Sequence, residues 1–148
     1  MAIRKLMLTL ATAGAVLAGT PAMAAVLEVY KTPWCGCCTA WAEAFRAAGY
    51  DVQLTDMEDL TDVRKDAGIA DDLEGCHTAE IEGYFVEGHV PLEAVAKLLE
   101  ERPAIRGLAV PGMPSGSLGM GDDPEAAYDV VAVDEDGRTT VYMSVGKR

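Results

Sequence analysis

The sequence predicts an α/β domain: a small mixed β-sheet with helices on its faces and an added hairpin at the C-terminal end. Three observations lead there. Short apolar strand patterns alternate with amphipathic helical ones, a Glu82-Gly83 turn separates two short apolar runs, and a Gly/Pro-rich stretch precedes a second pair of runs. The chain has 148 residues, half of them hydrophobic, which suits one domain with a real core.

Residues 25–30 (AVLEVY) read as a short apolar strand entering the turn 31–34 (KTPW). A helix follows, because Cys38, Trp41, Ala42 and Phe45 fall at i, i+3, i+4 and i+7, and Gly49 stands where a C-cap belongs. Residues 50–55 alternate as a second strand, and residues 57–67 form a polar, surface-lying helix ended by Gly68. Strands at 79–81 and 84–86 then flank the Glu82-Gly83 turn. Pro91 takes an N1 position, and Leu92, Val95, Ala96 and Leu99 give the stripe of a helix that stops before Pro103. Strand, helix, strand, helix, hairpin, helix is the thioredoxin-like order. Beyond it, residues 106–127 form a Gly/Pro/Met loop, whose 107–121 part is too rich in Gly and Pro for regular structure. Residues 128–133 and 139–145 make the added hairpin around 134–137, and there is no internal repeat.

The first 24 residues read as a secretory signal peptide. Arg4 and Lys5 precede an apolar stretch to Gly19, and Ala22-Met-Ala24 supplies the small residues of a cleavage site. The stretch is shorter than the roughly 20 residues that span a bilayer. The expected mature domain is therefore 25–148, periplasmic, with no membrane attachment after cleavage. Loss of Arg4 and Lys5 takes the net charge from −12 to −14. A chain so acidic, without a basic patch, repels phosphate backbones, so nucleic acid is excluded as a partner.

Four cysteines in an exported chain read by default as two structural disulfides. Their spacing argues otherwise. Cys35, Cys37 and Cys38 crowd into four positions, where a bridge closes too short a loop to restrict the unfolded chain much. In the thioredoxin-like order, the segment entering the third strand passes the start of the first helix, which brings Cys76 and His77 opposite the other three. A helix N-terminus favours thiolate. Cys35 and Cys38 alone have the C-x-x-C spacing of a redox dithiol, so Cys37 is surplus to that chemistry and makes more sense around a metal. Thiolates are soft donors that select copper(I), zinc or iron–sulfur centres over magnesium or calcium. The pattern C-x-C-C with a distant C-H is not a zinc-finger pattern. Copper(I) fits, since it accepts two or three sulfur ligands and a thiolate can bridge two ions.

His77 and His89, the chain's two histidines, are candidate ligands, with surface or capping roles as the alternative. Met113 and Met120 carry thioethers suited to copper(I) on a loop where burial is not their obvious purpose. That loop is expected to act as a mobile lid bringing one of them to the cysteines. Met57 and Met143 read as packing residues.

The runs VYKTPWCGCCTAW, GCHTAEIEGYFVEGHVP, GLAVPGMPSGS with a following GM, and YDVVAVDEDG together resemble, in order and over nearly the whole mature chain, the exported CopG-type copper-resistance proteins. The resemblance implies a thioredoxin-like fold, a periplasmic location, and copper in a thiolate-bridged cluster. By it, Cys35, Cys37, Cys38 and Cys76 are the main ligands, with the His and Met positions nearby. The chain has Cys76-His-Thr78 where ordinary thioredoxins have a cis-proline before the third strand, which weakens a disulfide-exchange reading.

The leading expectation is a copper(I)-binding protein of copper resistance or homeostasis, not an enzyme in the ordinary sense, holding more than one ion and with redox cycling of copper as an extension. Its partners would be copper ions and periplasmic exporter or chaperone proteins. Two alternatives stay open: a thiol–disulfide oxidoreductase using Cys35 as nucleophile and Cys38 as resolving thiol, and a module whose cysteines hold only zinc or disulfides.

Overall fold

The computed structural model describes residues 25–146. The signal-peptide reading lies outside them. The elements are β1 (Val26–Lys31), α1 (Gly36–Ala47), β2 (Asp51–Asp56), α2 (Thr61–Ala67), a 3-10 turn (Asp71–Leu73), β3 (Thr78–Ile81), β4 (Tyr84–Glu87), α3 (Leu92–Glu101), β5 (Gly107–Ala109), β6 (Tyr128–Val133) and β7 (Thr139–Val145). The strands form one mixed sheet in the order β2-β1-β3-β4-β5-β6-β7. β1 runs parallel to β2 and antiparallel to β3, and β3 pairs antiparallel with β4. This is the strand, helix, strand, helix, hairpin, helix order read from the sequence, with helices covering the sheet.

The helix at residues 36–47 follows its sequence stripe: Cys38, Trp41, Ala42 and Phe45 are all fully buried. Trp41 can be buried because its indole N–H donates to the Val90 carbonyl at 2.8 Å. Three details differ from expectation. The surface helix begins at Thr61 rather than residue 57, after Asp59 has taken the Thr61 N–H with its carboxylate. In α3, Pro91 stands just outside the helix, and the buried face is Ala94, Val95 and Leu98, with Ala96 exposed. The stripe is set from Pro91, one residue earlier than the run of leucines suggests.

The third difference concerns the expected irregular loop, whose first residues form β5. This strand runs parallel to β4 and antiparallel to β6, so it joins the terminal hairpin to the main sheet. The reason is a close approach. A Cβ on Gly107 would lie 2.2 Å from the Phe85 carbonyl oxygen and 2.5 Å from the Phe85 ring, so glycine here serves packing and not disorder.

Neighbouring residues of the middle strands point to opposite faces and are buried on both. Val86, Leu108 and Ala132 join the α1 and α3 residues in the main core, whereas Phe85, Ala109 and Val133 pack with Ile69 and Leu73 beside α2.

Candidate metal centre

β1 ends in a turn that delivers Cys35 to the N-cap of α1, where its Sγ accepts the Cys38 N–H at 3.3 Å. Cys37 and Cys38 occupy the first turn. Cys38 faces the core and is fully buried, while Cys35 and Cys37 are half-buried. Cys76 comes from the segment between the 3-10 turn and β3. All four Sγ atoms lie within 4.8 Å of one another. Cys37 is the middle of the group: its Sγ is 3.5 Å from that of Cys35 and 3.6 Å from that of Cys76.

Cys35 and Cys38 are joined as a disulfide, and Cys37 and Cys76 are free thiols. This departs from the expectation of four thiols. Cys38 Sγ also sits 3.6 Å from the Cys76 carbonyl oxygen, a contact that becomes an S–H···O bond only when the bridge is reduced. The Cys76 thiol is pushed up to about 12, first by burial and then by its hydrogen bond to Cys37 and by that neighbour's charge, with Arg64 pulling the other way. The macrodipole argument made for the α1 cysteines does not extend to it. In the metal-free protein Cys76 is a neutral thiol at ordinary pH, and any metal that takes it as thiolate must displace its proton.

Both histidines are fully buried. The close group of ligand atoms is formed by the four cysteines and includes neither histidine. His77 lies against Trp41 with ring centroids 4.4 Å apart and meets His89 edge-on at 5.2 Å. Burial, then the His89 and Arg64 charges, push His77 down to about 3, so its imidazole is neutral. Neither nitrogen of His77 has a hydrogen-bond partner. His89 contacts the Leu118 carbonyl through Nδ1 at 2.7 Å, which assigns the proton to Nδ1 and leaves an unshared pair on an unpartnered Nε2. A backbone carbonyl holding one nitrogen while the other stays open is how ligating histidines are oriented.

The 110–121 segment crosses the site fastened rather than free. Gly112 forms a bridge with Gly75, the neighbour of Cys76, and donates its N–H to the Glu74 carbonyl at 2.9 Å. Gly119 presses on α1, where an added Cβ would lie 2.6 Å from the Cys37 carbonyl oxygen. Met113 and Met120 are thus each one residue from a close approach to a cysteine-bearing segment. Met113 is 60% exposed and Met120 half-buried.

Sequence reasoning missed a charged group behind Cys76. Glu87, fully buried at the end of β4, accepts the Gly75 N–H at 2.7 Å, Arg64 Nε at 3.1 Å and the Thr78 hydroxyl at 2.6 Å. Arg64 Nη2 in turn donates to the Gly75 carbonyl at 2.8 Å. Burial raises the Glu87 carboxyl above its ordinary range, against the pull of these donors. A glutamate beside glycine reads as turn, and only the fold brings Arg64 to it.

Residues 73–120 match the family model described as a protein of unknown function, DUF411. No curated protein matches the chain. Among solved structures, one described as copper resistance protein CopG, form 1, is 36% identical, with a TM-score of 0.79, over 84% of this chain and 100% of that one. The chain belongs to the CopG family of copper-resistance proteins. Form 2 of CopG agrees, at 36% identity and a TM-score of 0.78 over 83% and 99% of the two chains. The family match of residues 73–120 takes in Cys76, His77, His89, Met113 and Met120, whereas the likeness to CopG covers most of the chain.

Proposed function

We propose that this CopG-family chain is a periplasmic copper-binding protein that holds copper(I) between Cys35, Cys37, Cys38 and Cys76 and serves copper resistance. The observation that carries the reading is the convergence of four sulfurs, from a helix start and a distant segment, within 4.8 Å. The donor set fits the ion: soft sulfurs, three half-buried and Cys38 fully buried, with carboxylates kept out of the group, suit copper(I) better than a hard cation. With each thiolate able to bridge, the group holds more than one ion. His89 Nε2 and His77 are further ligands, neutral and without competing partners. Met113 and Met120 add thioethers from the crossing segment. The N-terminal signal directs the chain to the periplasm, where exporter or chaperone proteins would give or take the metal.

The site must be reduced to work this way. A dithiol reductant must give the Cys35–Cys38 bridge two electrons and two protons, becoming a disulfide itself, and only then are four sulfur ligands present. The same bridge supports the second reading, a thiol–disulfide oxidoreductase in which Cys35 is attacked or attacks and Cys38 resolves. In that reading Cys37 and Cys76 are bystanders.

Protein purified from the periplasm of copper-supplemented cells, analysed for metals, tests the first reading. Copper at more than one ion per chain is expected. Protein found in the cytoplasm, or loaded with zinc in place of copper, would contradict it.

A further inference from the structure

We propose that the pair formed by half-buried Arg64 and buried Glu87 is a positioning device that holds Cys76 where it meets the other three sulfurs. The inference rests on the copper reading for its functional consequence, but its geometric part stands without metal.

Cys35, Cys37 and Cys38 are placed by α1 itself. Cys76 has no such support, because it precedes β3 in a segment that is neither helix nor strand. Its place is fixed from both sides. On one side, Gly75 has its N–H taken by Glu87 at 2.7 Å and its carbonyl oxygen held by Arg64 Nη2 at 2.8 Å. Arg64 Nε closes the triangle on Glu87 at 3.1 Å. On the other side, the Thr78 hydroxyl donates to the second Glu87 oxygen at 2.6 Å, and the Gly88 N–H donates to the His77 carbonyl at 2.8 Å. One carboxylate therefore spans residues 75 and 78, with Cys76 between them. The end of β4 lies close enough for this because Gly75 and Gly88 face each other: a Cβ on Gly75 would lie 2.5 Å from the Gly88 Cα.

An ion pair with one partner buried adds little net stability compared with apolar packing, but removing Arg64 leaves the buried Glu87 charge unpaired. Its grip on the Gly75 N–H, the Gly75 carbonyl and the Thr78 hydroxyl suits orientation more than cohesion. Arginine supplies what lysine does not, a planar fork that bonds Glu87 and the Gly75 carbonyl together. Glutamine in place of Glu87 keeps the shape but has one acceptor oxygen for three donors.

The test uses the full mature chain carrying Cys35→Ser and Cys38→Ser, so that Cys37 and Cys76 are the only thiols. Their sulfurs, 3.6 Å apart, should join rapidly when diamide takes two electrons and two protons from the pair. The rate is read by mass spectrometry, without metal. Adding Glu87→Gln should slow bridging by about tenfold or more, as expected when a reacting group shifts by about an ångström. Arg64→Lys, which keeps the charge, should slow it less, and it carries the test alone if Glu87→Gln does not fold. Leu98→Ala, a core truncation in α3, should lower the melting temperature and leave the rate unchanged. Equal rates with and without the clamp substitutions, or equal slowing by Leu98→Ala, would overturn the proposal. In the four-cysteine protein, Glu87→Gln should then weaken copper(I) binding by roughly 10–100-fold. A wild-type protein that binds no copper would remove the copper reading while leaving the trapping result to decide the clamp.

Discussion

Cys37 separates the two functional readings at the scale of one residue. An exchange dithiol needs Cys35 and Cys38, already joined in the structure, and gains nothing from a third sulfur 3.5 Å away. A copper cluster needs Cys37 as its middle ligand. Cys37→Ser should therefore lower copper(I) per chain as much as Cys35→Ser or Cys38→Ser does, since a neutral hydroxyl is a hard, weak donor for this ion. The check is copper retained under a competing chelator for the three variants side by side; a fully loaded Cys37→Ser protein would favour exchange. His77 gives a second residue-scale expectation, for the metal-free protein. Its folded value, about 3, is far below the ordinary histidine range, so the unfolded chain binds its proton first as pH falls. The stability from a neutral His77 is complete above the unfolded value near 6.5 and is lost progressively toward pH 3. His77→Phe should remove about 2 kcal/mol of the fall in stability between pH 7 and pH 5. Parallel pH profiles of melting temperature for wild type and variant would show that His77 does not titrate as described.

Among the elements, the segment joining β5 to β6 shows how far sequence reading reached. The α1 stripe and the hairpin of β3 and β4 were legible because their periods are short and local: Cys38, Trp41, Ala42 and Phe45 repeat as a helix does, and Glu82-Gly83 marks a turn. The convergence of Cys76 on the α1 cysteines followed from element order alone. β5 was hidden because Gly107 looks like a breaker until Phe85 is placed against it. Arg64 and Glu87 were hidden because 23 positions separate them and neither carries a periodic signal. The lid expectation met a segment pinned at Gly112 and Gly119. A pinned segment keeps Gly112 and Gly119 against the cysteine-bearing segments without having to close. Replacing Met113 and Met120 together by Leu keeps apolar bulk while deleting sulfur, so copper affinity should fall with little change in melting temperature. Unchanged affinity in a competition titration would make these residues packing or spacer.

For the molecule as a whole, the sheet is a rigid back to a site at one end of α1. Leu27, Val29, Trp41, Phe45 and Leu98, all fully buried, tie α1 and α3 to the strands. Leu98→Ala should cost about 2–5 kcal/mol of folding free energy, measured by denaturant unfolding, without touching the sulfurs. The candidate metal site is set against a strongly acidic chain, whose field attracts cations in general and so does not by itself choose copper. In the copper reading, selection falls to the four sulfurs and to their oxidation state. The most direct measurement is an anaerobic copper(I) titration of the mature protein against a competing chelator, run once fully reduced and once with the Cys35–Cys38 bridge intact. The reduced protein should take up more than one copper(I) per chain with a sulfur-to-copper charge-transfer absorption, and the bridged protein distinctly less. At most one weakly held ion in the reduced protein, or equal uptake in both forms, would contradict a cluster built on all four cysteines.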